Sequence, residues 1–268
     1  MTKFIFDTKS LIKSKDKAVK DWQRHNFIFK KFSQILYEKV LETNIKFQNV
    51  LLVTSDFFET LNVLLKFDIP KITVISQYKE IFQRLECKKN VQKFLMPFEE
   101  ISLQGEFDLI ICNFNLHKIN NKLDYLKNLK ELLSTKGILF CNFFGEDTLY
   151  ELRNSLLKTD EKIYGGIYAR MEPSLKMIDT SNLFSTIGFK EIVSEIVNYE
   201  IFYKNVTNLL NDIKGMGEAS NLKNRKKSLM TKNFFSNLNK IYKDDFSNER
   251  KTLKATCNIV SSTMWKNN

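Results

Sequence analysis

Glycine and proline are scarce in this chain, which has 8 glycines and 3 prolines among 268 residues. Linkers between domains are usually rich in such residues, and the sequence contains no linker-like stretch, repeat or low-complexity tract. The sequence therefore predicts one domain over residues 1–268. Because glycine is so rare, its absence from a tight turn that would normally need it is informative.

The sequence also has no long apolar run and no cluster of cysteines, and it contains few histidines. No stretch approaches the roughly 20 apolar residues that span a bilayer, and the N-terminus has no apolar core of a signal peptide. The cysteines lie far apart, at Cys87, Cys112, Cys141 and Cys257. They are predicted to be buried thiols of a cytoplasmic, bacterial protein that is not integral to a membrane. His25 and His117 are the only histidines, so no metal site is predicted.

The formal net charge is +11, which would favour anionic partners. Nucleic-acid binding also needs aromatic residues interleaved in a basic groove, or a reading motif, and the sequence has neither. The lysines are interpreted as a solvated surface, and no nucleic-acid partner is expected.

The first half of the chain alternates between helical and strand-like patterns. Apolar spacing over residues 15–44 is typical of amphipathic helix and predicts a helical cap over residues 1–45. Short β-branched runs then predict strands at residues 49–54, 71–76, 91–96, 107–112 and 137–144. Helices between them imply right-handed crossovers, so the predicted fold class is α/β with a mostly parallel, doubly wound sheet.

The regular alternation of strands and helices ends in the second half of the chain. Residues 46–145 are therefore predicted to form a cofactor-type half, and residues 146–268 a substrate-side half. Helices are predicted at residues 147–157 and 176–187, and strands at 191–201 and 256–264. A helical insertion over residues 205–245 separates these last two strands. Ligands of open α/β sheets bind at the carboxyl edge, beside which this insertion is expected to lie.

Several short motifs carry a family resemblance. Met96-Pro97-Phe98, Phe107-Asp108-Leu109-Ile110 and Asn115-Leu116-His117 resemble the class I S-adenosylmethionine-dependent methyltransferase superfamily, which implies a Rossmann-like fold. The ten residues from Phe144 to Arg153, together with Gly215-Met216-Gly217-Glu218, resemble more narrowly the complex I assembly factor 5 family. The chain also resembles the malonyl-carrier-protein methyltransferase of biotin synthesis, the BioC-like type. The resemblance covers essentially the whole chain.

The resemblance implies S-adenosylmethionine as cofactor, but the matching residues have changed. The positions matched to cofactor contacts are Thr54, Ser55, Asp56, Ser76 and Asn113. Leu52 stands where the family has an acid, and Thr54, Asp56 and Phe58 stand where it has glycines. Ser76 replaces the acid that would hold the ribose. A Cβ where the backbone must approach a ligand intrudes on it, so weak or absent cofactor binding is predicted, with Phe58 filling the space.

The substrate-side candidates follow the fifth strand and the turn near residue 215. Catalytic candidates are Asp147, Glu151 and His117, and the substrate-binding candidates are Glu146, Asp147, Arg153, Gly215, Met216, Gly217 and Glu218. Carboxylates bind guanidinium groups in bidentate fashion, so Glu146, Asp147, Glu151 and Glu218 are expected to form one acidic patch.

Structural interpretations compete with these functional ones. Thr148 and Glu151 have the spacing of a helix capping box, and Gly215 could end a helix in a left-handed conformation. His117 is as readily a structural residue at the carboxyl end of a strand as a catalytic one.

The resemblance implies a protein that acts on a protein side chain in respiratory complex I assembly, because a branch of the family hydroxylates an arginine of a complex I subunit. The expected partner is then a complex I subunit. One alternative is a non-catalytic assembly factor, a pseudoenzyme that has lost cofactor binding. Another is a methyltransferase that uses S-adenosylmethionine on a small molecule or a carrier protein.

Overall fold

The computed structural model describes residues 4–85, 88–226 and 230–266. The strands are β1 (Asn49–Thr54), β2 (Lys71–Ser76), β3 (Val91–Leu95), β4 (Phe107–Asn113), β5 (Leu133–Phe144), β6 (Lys190–Tyr203) and β7 (Leu253–Trp265). The α-helices are α1 (Thr8–Ala18), α2 (Trp22–His25), α3 (Phe27–Glu42), α4 (Glu59–Leu64), α5 (Lys79–Arg84), α6 (Lys122–Leu132), α7 (Tyr150–Tyr164), α8 (Met177–Ile187), α9 (Val206–Gly215) and α10 (Lys232–Phe246).

The strands form one sheet in the order β3-β2-β1-β4-β5-β7-β6. The pairs from β3 to β5 are parallel, whereas β7 runs antiparallel to both β5 and β6. The chain reverses its direction of winding between β1 and β4, which creates a topological switch point at their carboxyl ends. This arrangement confirms the predicted α/β, Rossmann-like fold with a helical N-terminal cap and helices before the last strand.

The core lies on both faces of the sheet. Val50 to Val53 in β1 and Leu109 to Cys112 in β4 have no exposed surface, because helices cover the sheet above and below. Trp22, Phe29 and Phe32 of the N-terminal helices are buried against the same core. A smaller apolar cluster joins α7, α9 and α10 to β6 and β7. The helices before β7 are therefore packed onto the sheet rather than extended away from it.

Local contacts explain where α1 and α7 begin. α1 begins at Thr8, where the Asp7 side chain accepts a hydrogen bond from the Ser10 amide at 3.0 Å and caps the helix. α7 begins at Tyr150 instead of Asp147, because Asp147 and Leu149 have left-handed φ angles of 62° and 56°. The chain thus makes a tight turn after β5 before the helix starts.

Cys112, Cys141 and Cys257 are buried and free, as predicted, and Cys87 lies outside the described residues. Within the described ranges, no helix has the length and apolar character needed to cross a membrane.

Candidate functional site

The five predicted cofactor contacts lie together at the switch point. Thr54, Ser55 and Asp56 follow β1, Ser76 ends β2, and Asn113 ends β4. All five are buried, with at most 3% of their surface exposed. The topology therefore brings them to one place, but their side chains are covered by protein.

Most polar atoms of these side chains are hydrogen-bonded within the protein, although Asn113 Oδ1 has no partner among the described residues. Asn113 Nδ2 donates to Asp56 Oδ2 at 3.0 Å, and Thr60 donates to the same carboxylate. Ser55 Oγ lies 3.2 Å from the Tyr78 hydroxyl, and Ser76 Oγ accepts from the Tyr78 amide at 3.1 Å. The groups that would face a cofactor are thus engaged in a network within the protein.

Burial of the Asp56 carboxyl and, to a smaller extent, repulsion from Glu59 raise its pKa to about 6. Glu59 is in turn held by the N-terminal cap, because Trp22 Nε1 and Asn26 Nδ2 donate to its Oε1 at 2.8 and 2.7 Å. The cap is therefore tied by hydrogen bonds to the loop that follows β1.

Aromatic side chains fill the space over the strand ends. Phe57 is buried with its ring centroid 4.1 Å from that of Trp22, and Tyr78 is buried against Phe98 at 5.7 Å. Phe58, which was predicted to fill this space, is only partly buried, so Phe57 takes that role. The cavity left beside the ends of β2, β3 and β4 measures about 10 Å³, room for roughly one water molecule. These residues do not fit S-adenosylmethionine.

A groove of about 580 Å³ lies nearby on the surface, between the segment Val19–His25 and α4. Its wall includes Trp22, Phe57 and Phe58. The five predicted cofactor contacts lie outside that wall.

A separate cavity of about 140 Å³ lies next to the carboxyl end of β5. Its wall includes Phe144, Gly145, Thr148 and Arg153 from one of the family-like segments, and Met216 and Glu218 from the other. Residues 171–174 and the ends of β6 and β7 close the remaining sides. The two segments that carry the family resemblance therefore meet around one cavity, of a size that holds a benzene-sized group.

Glu218 anchors a buried charge cluster in the cavity wall. Its carboxylate lies 2.6 Å from Lys15 Nζ, 3.1 Å from His117 Nε2 and 3.7 Å from Lys118 Nζ. Burial raises the pKa of Glu218, but the charge of Lys15, the hydrogen bond from His117 and the charge of Lys118 lower it more. Glu218 is thus an ionised carboxylate whose charge is compensated.

Glu172 extends the same cluster. Lys118 Nζ lies 2.5 Å from Glu172 Oε2, while the Asn221 amide donates to Glu172 Oε1 at 3.0 Å. Lys15, Lys118 and Glu172 were missed in the sequence. Lys15 could have been found, because it lies four residues after buried Leu11 on α1, on the face that points inward.

His117 lies in the short 3₁₀ helix Leu116–Lys118 after β4, and its ring packs edge-on against Phe144 at 5.2 Å. It is 7% exposed, and burial lowers its pKa despite the nearby Glu218 carboxylate. Its imidazole is therefore neutral near pH 7.

The other predicted carboxylates do not join Glu218. Asp147 is exposed, and Glu146 Oε1 accepts from the Met177 amide at 3.2 Å. Glu151 is fully buried, where it accepts hydrogen bonds from the amide and hydroxyl of Thr256 at 3.1 and 2.6 Å. The single acidic patch expected from the sequence is therefore wrong.

The predicted capping box is also wrong. Thr148 Oγ1 donates to the Asn258 carbonyl at 2.9 Å and accepts from the Asn258 amide at 3.1 Å. Leu149, rather than Thr148, is the residue before the first turn of α7. Thr148 and Glu151 instead fasten α7 and its preceding turn to β7.

Gly217, not Gly215, ends α9 in the left-handed conformation, with a φ of 67°. The Glu218 amide donates to the Ile213 carbonyl and the Gly217 amide to the Lys214 carbonyl, which is a Schellman motif. Gly215 remains helical, and a Cβ there would lie 2.1 Å from the His25 ring. The turn places Met216 and Glu218 in the cavity wall.

Arg153, a predicted substrate-binding residue, also lines the cavity. Its Nη2 donates to the Glu172 carbonyl at 2.7 Å and to Ser174 Oγ at 3.2 Å. Arg153 therefore fixes the segment that closes one side of the cavity.

Comparisons with known proteins identify homologues of the chain. The chain is 29% identical over 181 residues to the mitochondrial arginine-hydroxylase NDUFAF5 of Danio rerio, covering 68% of this chain and 54% of the relative. It is 27% identical over 289 residues to the protein of that name in Dictyostelium discoideum, covering 97% and 65%. The chain therefore spans about half to two thirds of the length of these relatives.

Solved structures share the fold. The crystal structure of the plantazolicin methyltransferase BamL, in complex with a triazolic desmethylPZN analog and SAH, superimposes with a TM-score of 0.53. The sequence identity is 12%, and the match covers 97% of this chain and 96% of that one. No family model matches the sequence. The chain has the class I methyltransferase fold, and the NDUFAF5 arginine-hydroxylases are its homologues.

Proposed function

We propose that this protein acts on an arginine side chain of a protein partner during the assembly of respiratory complex I. The observation that carries the proposal is the meeting of residues 144–153 and 215–218 around one cavity. These segments carry the family resemblance inferred from the sequence, and the homologues of the chain include proteins named arginine-hydroxylases. The proposal includes a cytoplasmic location, which the buried, free cysteines support.

The chemistry of the cavity wall suits a guanidinium group. The carboxylates of Glu172 and Glu218 lie in the wall, each already paired with a lysine, and Phe144 and Tyr203 supply aromatic rings. Guanidinium groups pair with carboxylates and stack on aromatic faces. At about 140 Å³ the cavity takes the end of a side chain rather than a nucleoside.

The filled switch point argues against the methyltransferase alternative. A methyl donor of the S-adenosylmethionine type would need the space that Phe57 and Tyr78 occupy. The fold is therefore interpreted as a scaffold that has kept its substrate side and lost its original cofactor site.

The proposal can be tested by tandem mass spectrometry of complex I subunits from cells with and without this gene. We expect one arginine to carry an additional oxygen atom only when the gene is present, and re-introduction of the gene to restore it. If assembly fails without the gene while the arginine has the same mass in both strains, the non-catalytic assembly factor is the correct alternative. If neither mass nor assembly changes, the proposal is wrong.

A further inference from the structure

The cavity wall holds buried polar atoms without a hydrogen-bond partner among the described residues. These atoms include His117 Nδ1 and Ser220 Oγ, and both residues line the cavity. Lys118 Nζ also lacks a hydrogen bond of good geometry, but its charge is balanced by the carboxylates of Glu172 and Glu218. An unpartnered buried polar atom is costly, so atoms of this kind in a cavity wall indicate a missing ligand.

The hydrogen-bond role of His117 Nδ1 follows from its other nitrogen. Nε2 lies 3.1 Å from Glu218 Oε2, and an ionised carboxylate can only accept hydrogen bonds. Nε2 must therefore carry the proton. In a neutral imidazole the second nitrogen is then a pure acceptor. His117 Nδ1 thus requires a donor from whatever enters the cavity.

The charge cluster fixes this tautomer. Two ammonium groups, from Lys15 and Lys118, balance two carboxylates, from Glu172 and Glu218. A proton on Nδ1 instead of Nε2 would turn the lone pair of Nε2 toward the Glu218 carboxylate, which can only accept hydrogen bonds, so that tautomer is unfavourable. Lys15 Nζ is itself held by the Met216 carbonyl at 2.9 Å, so the carboxylate that orients His117 cannot turn away freely.

We propose that His117 Nδ1 selects the substrate by accepting a hydrogen bond from an N–H group of its side chain, with Ser220 Oγ as a second acceptor. This inference rests on the proposed function, since a guanidinium group offers five N–H donors in one plane and no acceptor. Glu218 is a positioning residue, which acts through His117. A ligand that presents only acceptors would leave Nδ1 unsatisfied.

The tautomer can be observed directly, because the chain has only two histidines. Protein labelled with ¹⁵N-histidine is examined by two-bond ¹H–¹⁵N NMR, and His25→Gln assigns the His117 signals. We expect a proton on Nε2 and none on Nδ1, and addition of Nα-acetyl-L-arginine amide should move the Nδ1 resonance upfield. A proton on Nδ1, or an unchanged resonance at saturating probe concentration, would overturn the proposal.

Two substitutions distinguish the roles of the two imidazole nitrogens of His117. His117→Gln places an amide nitrogen near the Nε2 position and keeps the bond to Glu218, but removes the acceptor. His117→Asn places a carbonyl oxygen near the Nδ1 position and keeps the acceptor. We expect calorimetry with the same probe to show binding at least about tenfold weaker for His117→Gln than for the wild-type protein, with His117→Asn between them.

His25→Gln is the matched control, since His25 pairs with Asp212 outside the cavity, and its affinity for the probe should be unchanged. If His117→Gln binds as tightly as the wild-type protein, or more tightly than His117→Asn, the role of Nδ1 is refuted. The proposed function would survive that result, because it depends on the mass of the partner's arginine. Should a variant fail to fold, the wild-type NMR experiment still decides.

Discussion

Buried ionisable residues organise this protein at the scale of single side chains. Lys15 is 1% exposed, and besides its ion pair with Glu218 it lies over the rings of Trp22 and Phe29 at 5.7 and 5.3 Å. Buried charges of this kind are tolerated only when they are paired. Lys15 therefore ties the N-terminal cap to the turn that carries Glu218.

Asp56 gives a prediction about pH. Its folded pKa of about 6 lies above the ordinary aspartate value of 3.8, so the folded state holds a proton that the unfolded state releases. Stability should therefore fall as pH rises from about 4 to above 6, by roughly 3 kcal/mol from this group. Asp56→Asn should remove this loss of stability at high pH, because asparagine does not ionise.

We expect the unfolding free energy of Asp56→Asn, measured by urea denaturation relative to the wild-type protein, to improve by about 3 kcal/mol between pH 4 and pH 7.5. Asp68→Asn, which changes an exposed carboxylate, is the matched control. An identical difference between variant and wild type at both pH values would contradict the assignment.

Helix ends account for much of the shape of the cavity at the scale of secondary-structure elements. The last turn of α9 and the turn before α7 both present cavity residues, and both contain left-handed backbone. Substitution of the glycines at such helix ends tests how much the surrounding contacts contribute to stability. Gly165 and Gly217 have φ angles of 65° and 67°, but a Cβ would meet nothing within 4 Å at Gly165 and would lie 2.6 Å from Lys15 at Gly217.

We predict that Gly217→Ala destabilises the protein more than Gly165→Ala, and that Gly166→Ala has almost no effect. Alanine in the left-handed region costs about 1 kcal/mol, and only Gly217→Ala also displaces Lys15 from Glu218. Gly166 is the control because its surroundings are open. Thermal denaturation gives the order, and equal losses for Gly165→Ala and Gly217→Ala would show that contact with Lys15 is unimportant.

Elements buried on both faces were predictable from sequence, whereas those set by distant contacts were not. β1 and β2 were predicted to the residue, since short continuous apolar runs that contain β-branched residues are typical of buried strands. The start of α7 was missed because the hydroxyl of Thr148 binds Asn258 in β7, 110 residues away, rather than its own helix. A capping motif in sequence cannot reveal that competition.

The candidate site was predictable to a similar degree. His117, Arg153, Met216 and Glu218 were predicted and line the cavity, because motifs near strand ends meet at one edge. Lys15 and Glu172 come from segments with no motif, and only the folded chain brings them to Glu218 and Lys118. Asp147, in contrast, had the right position along the chain but an exposed side chain.

The molecule as a whole combines a methyltransferase fold with a closed cofactor region. In related sheets the switch point opens toward a ligand, and glycines let the backbone approach it. Here the N-terminal cap covers this region through Trp22, and the loop after β1 turns Phe57 into it. Opening the region would break the bonds of Trp22 and Asn26 to Glu59 and expose buried aromatic surface.

We therefore predict that S-adenosylmethionine does not bind. Titration calorimetry should give no saturable heat, and the ligand should not raise the melting temperature, whereas a ligand at 100 times its Kd would stabilise the folded state by about 2.7 kcal/mol. A methyltransferase of the same fold that binds SAH serves as the positive control. A Kd in the low micromolar range, about −8 kcal/mol of binding free energy, would mean that the cap moves aside and that Trp22 and Phe57 form a gate rather than a filled core.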